Sequence, residues 1–134
     1  MIVSRLTPHQ DLKIGIEDIF RKSTLNSGII ICIVGSLNQA VLRMSDSKSK
    51  ALAGPLEIVS TEGTLSQDGL HVHLAVSDEE GTVFGGHLLP GCTVYTTAEI
   101  CILESDKKLR RVYDSETGYR ELHIMDDTPD VHSD

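Results

Sequence analysis

The sequence predicts an α+β fold: a mainly antiparallel β-sheet with one main helix packed on it. Three observations lead there. One stretch, Leu12 to Phe20, repeats apolar residues at helical spacing. Several other stretches, β-branched or alternating, read as short strands. Two of these are joined by a turn signal, which makes them an antiparallel hairpin.

Composition sets the frame. A chain of 134 residues is the size of one ordinary domain, and 40% hydrophobic content suffices for one core. There is no Trp and there are only two Phe and three Tyr, so the core must be built on Ile, Leu and Val. The net charge of −8 disfavours a strong autonomous nucleic-acid binder, because such binding rests on Lys and Arg neutralising phosphates. Cys32, Cys92 and Cys101 are odd in number and far apart, as expected of reduced, buried thiols. The opening residues lack the apolar run and cleavage site of a leader, and no stretch reaches the length of a membrane span. A soluble cytoplasmic protein with no membrane partner is expected.

In chain order, Met1 to Leu6 reads as an edge strand. Thr7-Pro8 has the form of a helix start, with Thr as N-cap and Pro in the first turn. Leu12, Ile16, Ile19 and Phe20 then make one helical stripe suited to packing on a sheet. Ile29 to Val34 reads as a strand buried on both faces, punctuated by Gly35-Ser36 and followed by a second strand from Leu37 to Met44. Residues 45–54 are polar and predict a mobile surface loop. A strand over Leu56 to Ser60 precedes a bend at Glu62-Gly63.

The run Leu70 to Leu89 is the most informative. His71 and His73 alternate with Val72 and Leu74, which puts both imidazoles on one strand face. Asp78-Glu79-Glu80-Gly81 reads as a turn in which Asp78 pairs with Thr82 and Gly81 takes the left-handed conformation. Counting back, Ala75 faces Gly85, His73 faces His87 and His71 faces Leu89. All three imidazoles then share one face, with His73 and His87 roughly 5 Å apart at Cβ. Three imidazoles suit zinc or another transition metal, and three protein ligands leave a fourth position open, as in catalytic sites.

Beyond Pro90-Gly91, Val94 to Leu103 is a long strand. Lys107, Lys108, Arg110 and Arg111 form a basic cluster, and Tyr119 to Ile124 a last strand. Residues 1–124 read as a single domain, and 125–134 as an acidic tail expected to be disordered.

A set of motifs taken in order carries a resemblance. Gly35-Ser36-Leu37, Leu56-Glu57-Ile58-Val59-Ser60, Gly63-Thr64-Leu65, Leu70-His71-Val72-His73, Gly85-Gly86-His87-Leu88 and Thr97-Ala98-Glu99 resemble the PPC (plants and prokaryotes conserved) domain, from about Arg5 to about Ile124. The resemblance implies a strongly curved antiparallel sheet with one main helix, assembly as a homotrimer and contacts with other proteins. It implies a metal at the histidines that match His71, His73 and His87. Prokaryotic members carry a DNA-binding label taken from plant members, whose AT-hooks bind DNA. This sequence has no Arg-Gly-Arg-Pro core of an AT-hook, and Gly54-Pro55-Leu56-Glu57-Ile58 stands where plant members have Gly-Arg-Phe-Glu-Ile.

Three functions follow as expectations. The first is a homotrimeric interaction module with a bound metal. The second is a metal-dependent enzyme acting on a small substrate, in which zinc activates water and Glu57 or Glu99 serves as base or supporting carboxylate. No nucleophile elbow, phosphate loop or dinucleotide fingerprint points to another chemistry. The third is DNA binding through Lys107, Lys108, Arg110 and Arg111, opposed by a charge near −24 on a trimer.

Overall fold

The computed structural model describes residues 1–125. β1 (Ile2–Leu6) leads into α1 (Leu12–Lys22). Then come β2 (Ser27–Arg43), β3 (Ser49–Ser66), β4 (Gly69–Ser77), β5 (Val83–Leu88), β6 (Thr93–Glu104), β7 (Lys108–Tyr113) and β8 (Arg120–Met125). The main sheet runs β1-β6-β2-β3-β4-β5 with antiparallel neighbours, and β7 and β8 pair separately. β5 also pairs with β2, so β2, β3, β4 and β5 make a closed ring of pairings. The expected α+β class with a mainly antiparallel sheet and one helix is what the chain adopts.

Several boundaries differ from expectation, each for a local reason. The helix is capped by Asp11, not Thr7. One Asp11 carboxylate oxygen accepts from the Ile14 amide at 3.0 Å, and the other accepts from the Gly91 amide at 2.7 Å. Asp11 thus caps the helix and ties it to the turn before β6. The segment between Thr7 and Asp11 turns sharply, with His9 at a φ of 74°.

Gly35-Ser36 does not end a strand. β2 runs straight through it, and a Cβ at Gly35 would collide with the Thr97 carbonyl oxygen of β6. The glycine is there for close approach between strands. The polar segment 45–54 is not a loop beyond Lys48: Ser49 to Ala53 pair with Arg43 to Gln39. Cross-strand pairing overrides weak local propensity here. Glu62-Gly63 likewise continues β3, with Gly63 opposite Val72. The basic cluster lies largely in β7, and Met125 closes β8. The rest of the expected tail, 126–134, lies outside the described residues.

The core is aliphatic, as composition demanded. Leu12, Ile16 and Phe20 of α1 join Leu37, Leu65, Leu74, Val76, Ile100 and Ile102 of the sheet in one buried cluster. Full burial of such a side chain contributes about 1.5–3 kcal/mol. Alternation then sends the other face of each strand outward. On that side Ile29 pairs with Leu103, and Val3 faces Cys101, which faces Cys32. Val3, Ile29, Ile31, Val34 and Leu103 are all exposed. Only Cys92 is a fully buried thiol; Cys32 and Cys101 are half-buried and free. No helix among the described residues is long and apolar enough to cross a membrane.

Candidate metal centre

The turn forms as its residues dictate. The Asp78 amide donates to the Thr82 carbonyl at 3.0 Å, and the Asp78 carboxylate accepts from the Glu80 and Thr82 amides. Gly81 takes a φ of 82°, in the left-handed region. Register follows: Ser77 faces Val83, Ala75 faces Gly85, and His73 faces His87. The pairing stops there. His71 does not face Leu89, whose amide donates to Val41 of β2 at 3.2 Å. β5 has by then crossed to β2, where Leu42 faces Leu88 and Arg43 faces His87.

The three rings meet on the outward face. Their centroids lie 5.0 Å apart for His71 and His73, 5.2 Å for His71 and His87, and 5.9 Å for His73 and His87. One nitrogen from each ring lies within 4.8 Å of the others. Tetrahedral zinc with bonds near 2.0–2.1 Å needs donors about 3.4 Å apart, a gap that small ring rotations can close.

Electrostatics favours the neutral ring at His71 and at His87. Burial pushes the His87 imidazole down to about 4, helped by Arg43 and by the two other histidines. Burial likewise lowers His71, with Arg111 adding to it. Neutral imidazoles keep the lone pair that a metal needs. His87 Nδ1 is buried and has no hydrogen-bond partner among the described residues. Buried side-chain nitrogens are normally paired, so an orphan in a cluster of imidazoles fits an ion as its partner. The donor set therefore fits zinc or a similar borderline metal.

The carboxylates chosen from the sequence lie elsewhere. Glu57 is exposed and faces Ser77, two same-face positions along β4 from His73. Glu99 is exposed on β6 between Arg5 and Val34. The carboxylate directly opposite His73 is Glu62, which accepts from Ser60 Oγ at 2.5 Å. Glu62 sat in a Glu-Gly pair that looked like a bend; the unbroken alternation of Ser60, Glu62 and Thr64 was the signal available.

The basic cluster is divided. Arg110 grips Asp68 through Nε at 2.6 Å and Nη2 at 3.1 Å, and the Arg111 amide donates to the same carboxylate at 2.9 Å. These bonds hold the Asp68 carboxyl at about 2. The Leu109 amide donates to buried Ser27 Oγ at 2.7 Å, which also ties β7 to β2 of the main sheet. Arg111 Nη2 reaches Thr64 Oγ1, the residue facing His71, at 2.5 Å. Lys107 and Lys108 border a separate opening shared with Glu104 and Asp106. Of the four, Arg110 is paired with a carboxylate and Arg111 with a hydroxyl.

Beside His71 and His87 lies a cavity of about 290 Å³ whose walls include Arg43, Arg111, Tyr119 and Arg120. Sequence reasoning missed it, since its walls come from β2, β4, β5, β7 and β8.

Comparison with known proteins finds relatives in sequence and in fold. Residues 1–106 match the family profile of the Plants and Prokaryotes Conserved (PCC) domain. The bifunctional protein GlmU of a Synechococcus strain is 48% identical over 122 residues, which cover 90% of this chain. The chain spans about a fifth of the length of that relative, 20%. A hypothetical protein from Salmonella is 37% identical, with a TM-score of 0.89 over 94% of this chain and 93% of that one. A metal-containing protein from Archaeoglobus fulgidus is 25% identical, with a TM-score of 0.74 over 90% of each chain. A protein from Ralstonia eutropha, provisionally described as DNA-binding, shares the fold at 22% identity, with a TM-score of 0.80 over 92% of this chain and 90% of that one.

Proposed function

The chain belongs to the Plants and Prokaryotes Conserved (PCC) domain family, and from that premise we propose that it is a self-associating module holding one zinc-class ion on His71, His73 and His87. The observation that carries the metal is the buried, unpartnered Nδ1 of His87 within a cluster of three imidazoles. The metal-containing Archaeoglobus relative supports it. When bound, such an ion would supply a Lewis-acid centre with a position open to water or a ligand oxygen.

Self-association as a homotrimer is the assembly we propose. The support is the row of exposed apolar side chains Val3, Ile29, Ile31, Val34 and Leu103 on neighbouring strands of the main sheet, the kind of surface an interface covers. A curved sheet would bring such a face against two copies, and β1 is an edge of the sheet that assembly would cover. In the Synechococcus relative the matching segment belongs to a much larger bifunctional protein, which suits an accessory assembly role.

Metal analysis of purified protein, with size-exclusion light scattering, tests both parts. One zinc-class ion per chain and a mass three times 14.6 kDa are expected. Absence of any transition metal after zinc addition and desalting overturns the metal. A monomer throughout the micromolar range overturns the trimer.

A metal-dependent enzyme is the second reading, favoured by the cavity against two of the three histidines. Glu62, opposite His73, is then the carboxylate to test as base, ahead of Glu57 and Glu99. DNA binding is the weaker reading: net charge is −8, and Arg110 is already engaged by Asp68. A gel shift at low salt is expected to show no complex.

A further inference from the structure

We infer that the cavity beside the histidines is a binding site for a small molecule bearing a phosphate or carboxylate group. The inference rests on the metal reading only for the ligand's second anchor, an ion at His71 and His87.

The chain is acidic as a whole, yet this one hollow is lined with arginine. Arg43, Arg111 and Arg120 come from three different strands and border the same space of about 290 Å³. That volume sits at the small end of ligand pockets, which suits a metabolite and not a polymer. Among the described residues, none of the three guanidinium groups has a carboxylate within ion-pair distance. Of the two acidic residues at the rim, Asp68 is committed to Arg110, and Glu121 accepts from Thr117 Oγ1 at 3.1 Å. Guanidinium groups gathered with no carboxylate beside them among the described residues repel one another, and an oxyanion is the natural complement to their fork of donors.

The arginines are held and not merely present. Arg43 faces His87 across the β2–β5 pairing and lies 5.5 Å from the centre of the Tyr119 ring. Arg111 is fixed by the hydrogen bond its backbone amide donates to Asp68 and by its reach to Thr64 Oγ1. Arg120 Nη2 donates to the Arg111 carbonyl at 3.0 Å. Cationic groups positioned by a second layer of bonds define where a ligand's charge must go. Arg111, Tyr119 and Arg120 also lie beyond residue 106, where the family match ends. A ligand would therefore lie between the histidine hairpin and a wall made by β7, β8 and the turn between them.

Isothermal titration of the full chain tests this, with inorganic phosphate in one arm and succinate in the other. Each is run on zinc-loaded protein freed of excess metal and on chelator-treated protein. At least one anion is expected to bind once per chain. Arg43→Gln and Arg111→Gln should each weaken it roughly tenfold or more, the loss expected for a hydrogen bond between charged groups. Arg43→Lys should retain part of the affinity, and Lys107→Gln, at a separate opening, should leave it unchanged. Circular dichroism confirms that each variant is folded. Zinc-loaded protein that binds neither anion at about millimolar concentration overturns the inference while sparing the metal. Binding indifferent to both arginine substitutions overturns it as well. Arginine-dependent binding in a protein that never retains zinc upholds the anion site and removes the metal. Loss of both zinc and anion binding removes both.

Discussion

Replacing His87 by Gln should change how stability depends on pH in metal-free protein. Burial, backed by Arg43 and the neighbouring imidazoles, lowers the His87 ring from 6.5 to about 4. In the unfolded chain the ring titrates near its ordinary value, so between these limits the unfolded state holds more protons. Stability is therefore greatest above about pH 6.5, falls as pH drops towards about 4, and gains no further penalty from this group below that. At about pH 5 the unfolded ring is almost fully protonated and the folded ring about one-tenth protonated. The difference of about 0.9 proton gives a slope of about 1.2 kcal/mol per pH unit. Across the whole window the loss is about 2–3 kcal/mol, after allowance for screening of a half-buried group. Urea unfolding in the presence of chelator, at a series of pH values, reads the slope directly. His87→Gln should be shallower than the parent by close to one proton at about pH 5. Equal slopes would refute the assignment of a buried, neutral imidazole.

Further outcomes follow from the packing. Leu74→Ala, directly behind the histidine face, should cost about 2–5 kcal/mol in chemical denaturation, because the site is buried between strands and can collapse only in part. Asp68→Asn should loosen the grip on Arg110 and the Arg111 amide; hydrogen exchange should quicken across residues 108–125 and stay slow in β2 and β6. Gly35→Ala should destabilise by more than the few tenths of a kcal/mol typical of a surface change, since its methyl meets backbone of β6; a thermal melt equal to the parent's would contradict that contact.

What could be read from residues alone depended on whether the signal was local. The hairpin register was legible because Asp78 and Gly81 specify the turn and a strand's period is two. The helix body was legible from its apolar stripe, but its start was not. Thr7-Pro8 imitates a cap, while Asp11 does the capping with help from Gly91, eighty residues away. Gly35 and Gly63 looked like punctuation because glycine usually ends strands. Their role, close approach of a neighbouring backbone, exists only once β6 and β4 lie beside them. The cavity was least legible of all. Arg43 gave no hint of lying beside His87, because that proximity depends on β5 leaving β4 for β2.

That crossing has a consequence for how the proposed ion would be met. β5 has only six residues, yet it is stitched along both flanks, to β4 on one side and β2 on the other. A ribbon secured twice cannot peel off alone, so His87 stays aimed whether or not anything is bound. Uptake of the proposed ion would then be capture by a finished claw instead of the ordering of a floppy one. The backbone circular dichroism of loaded and stripped protein should then superimpose.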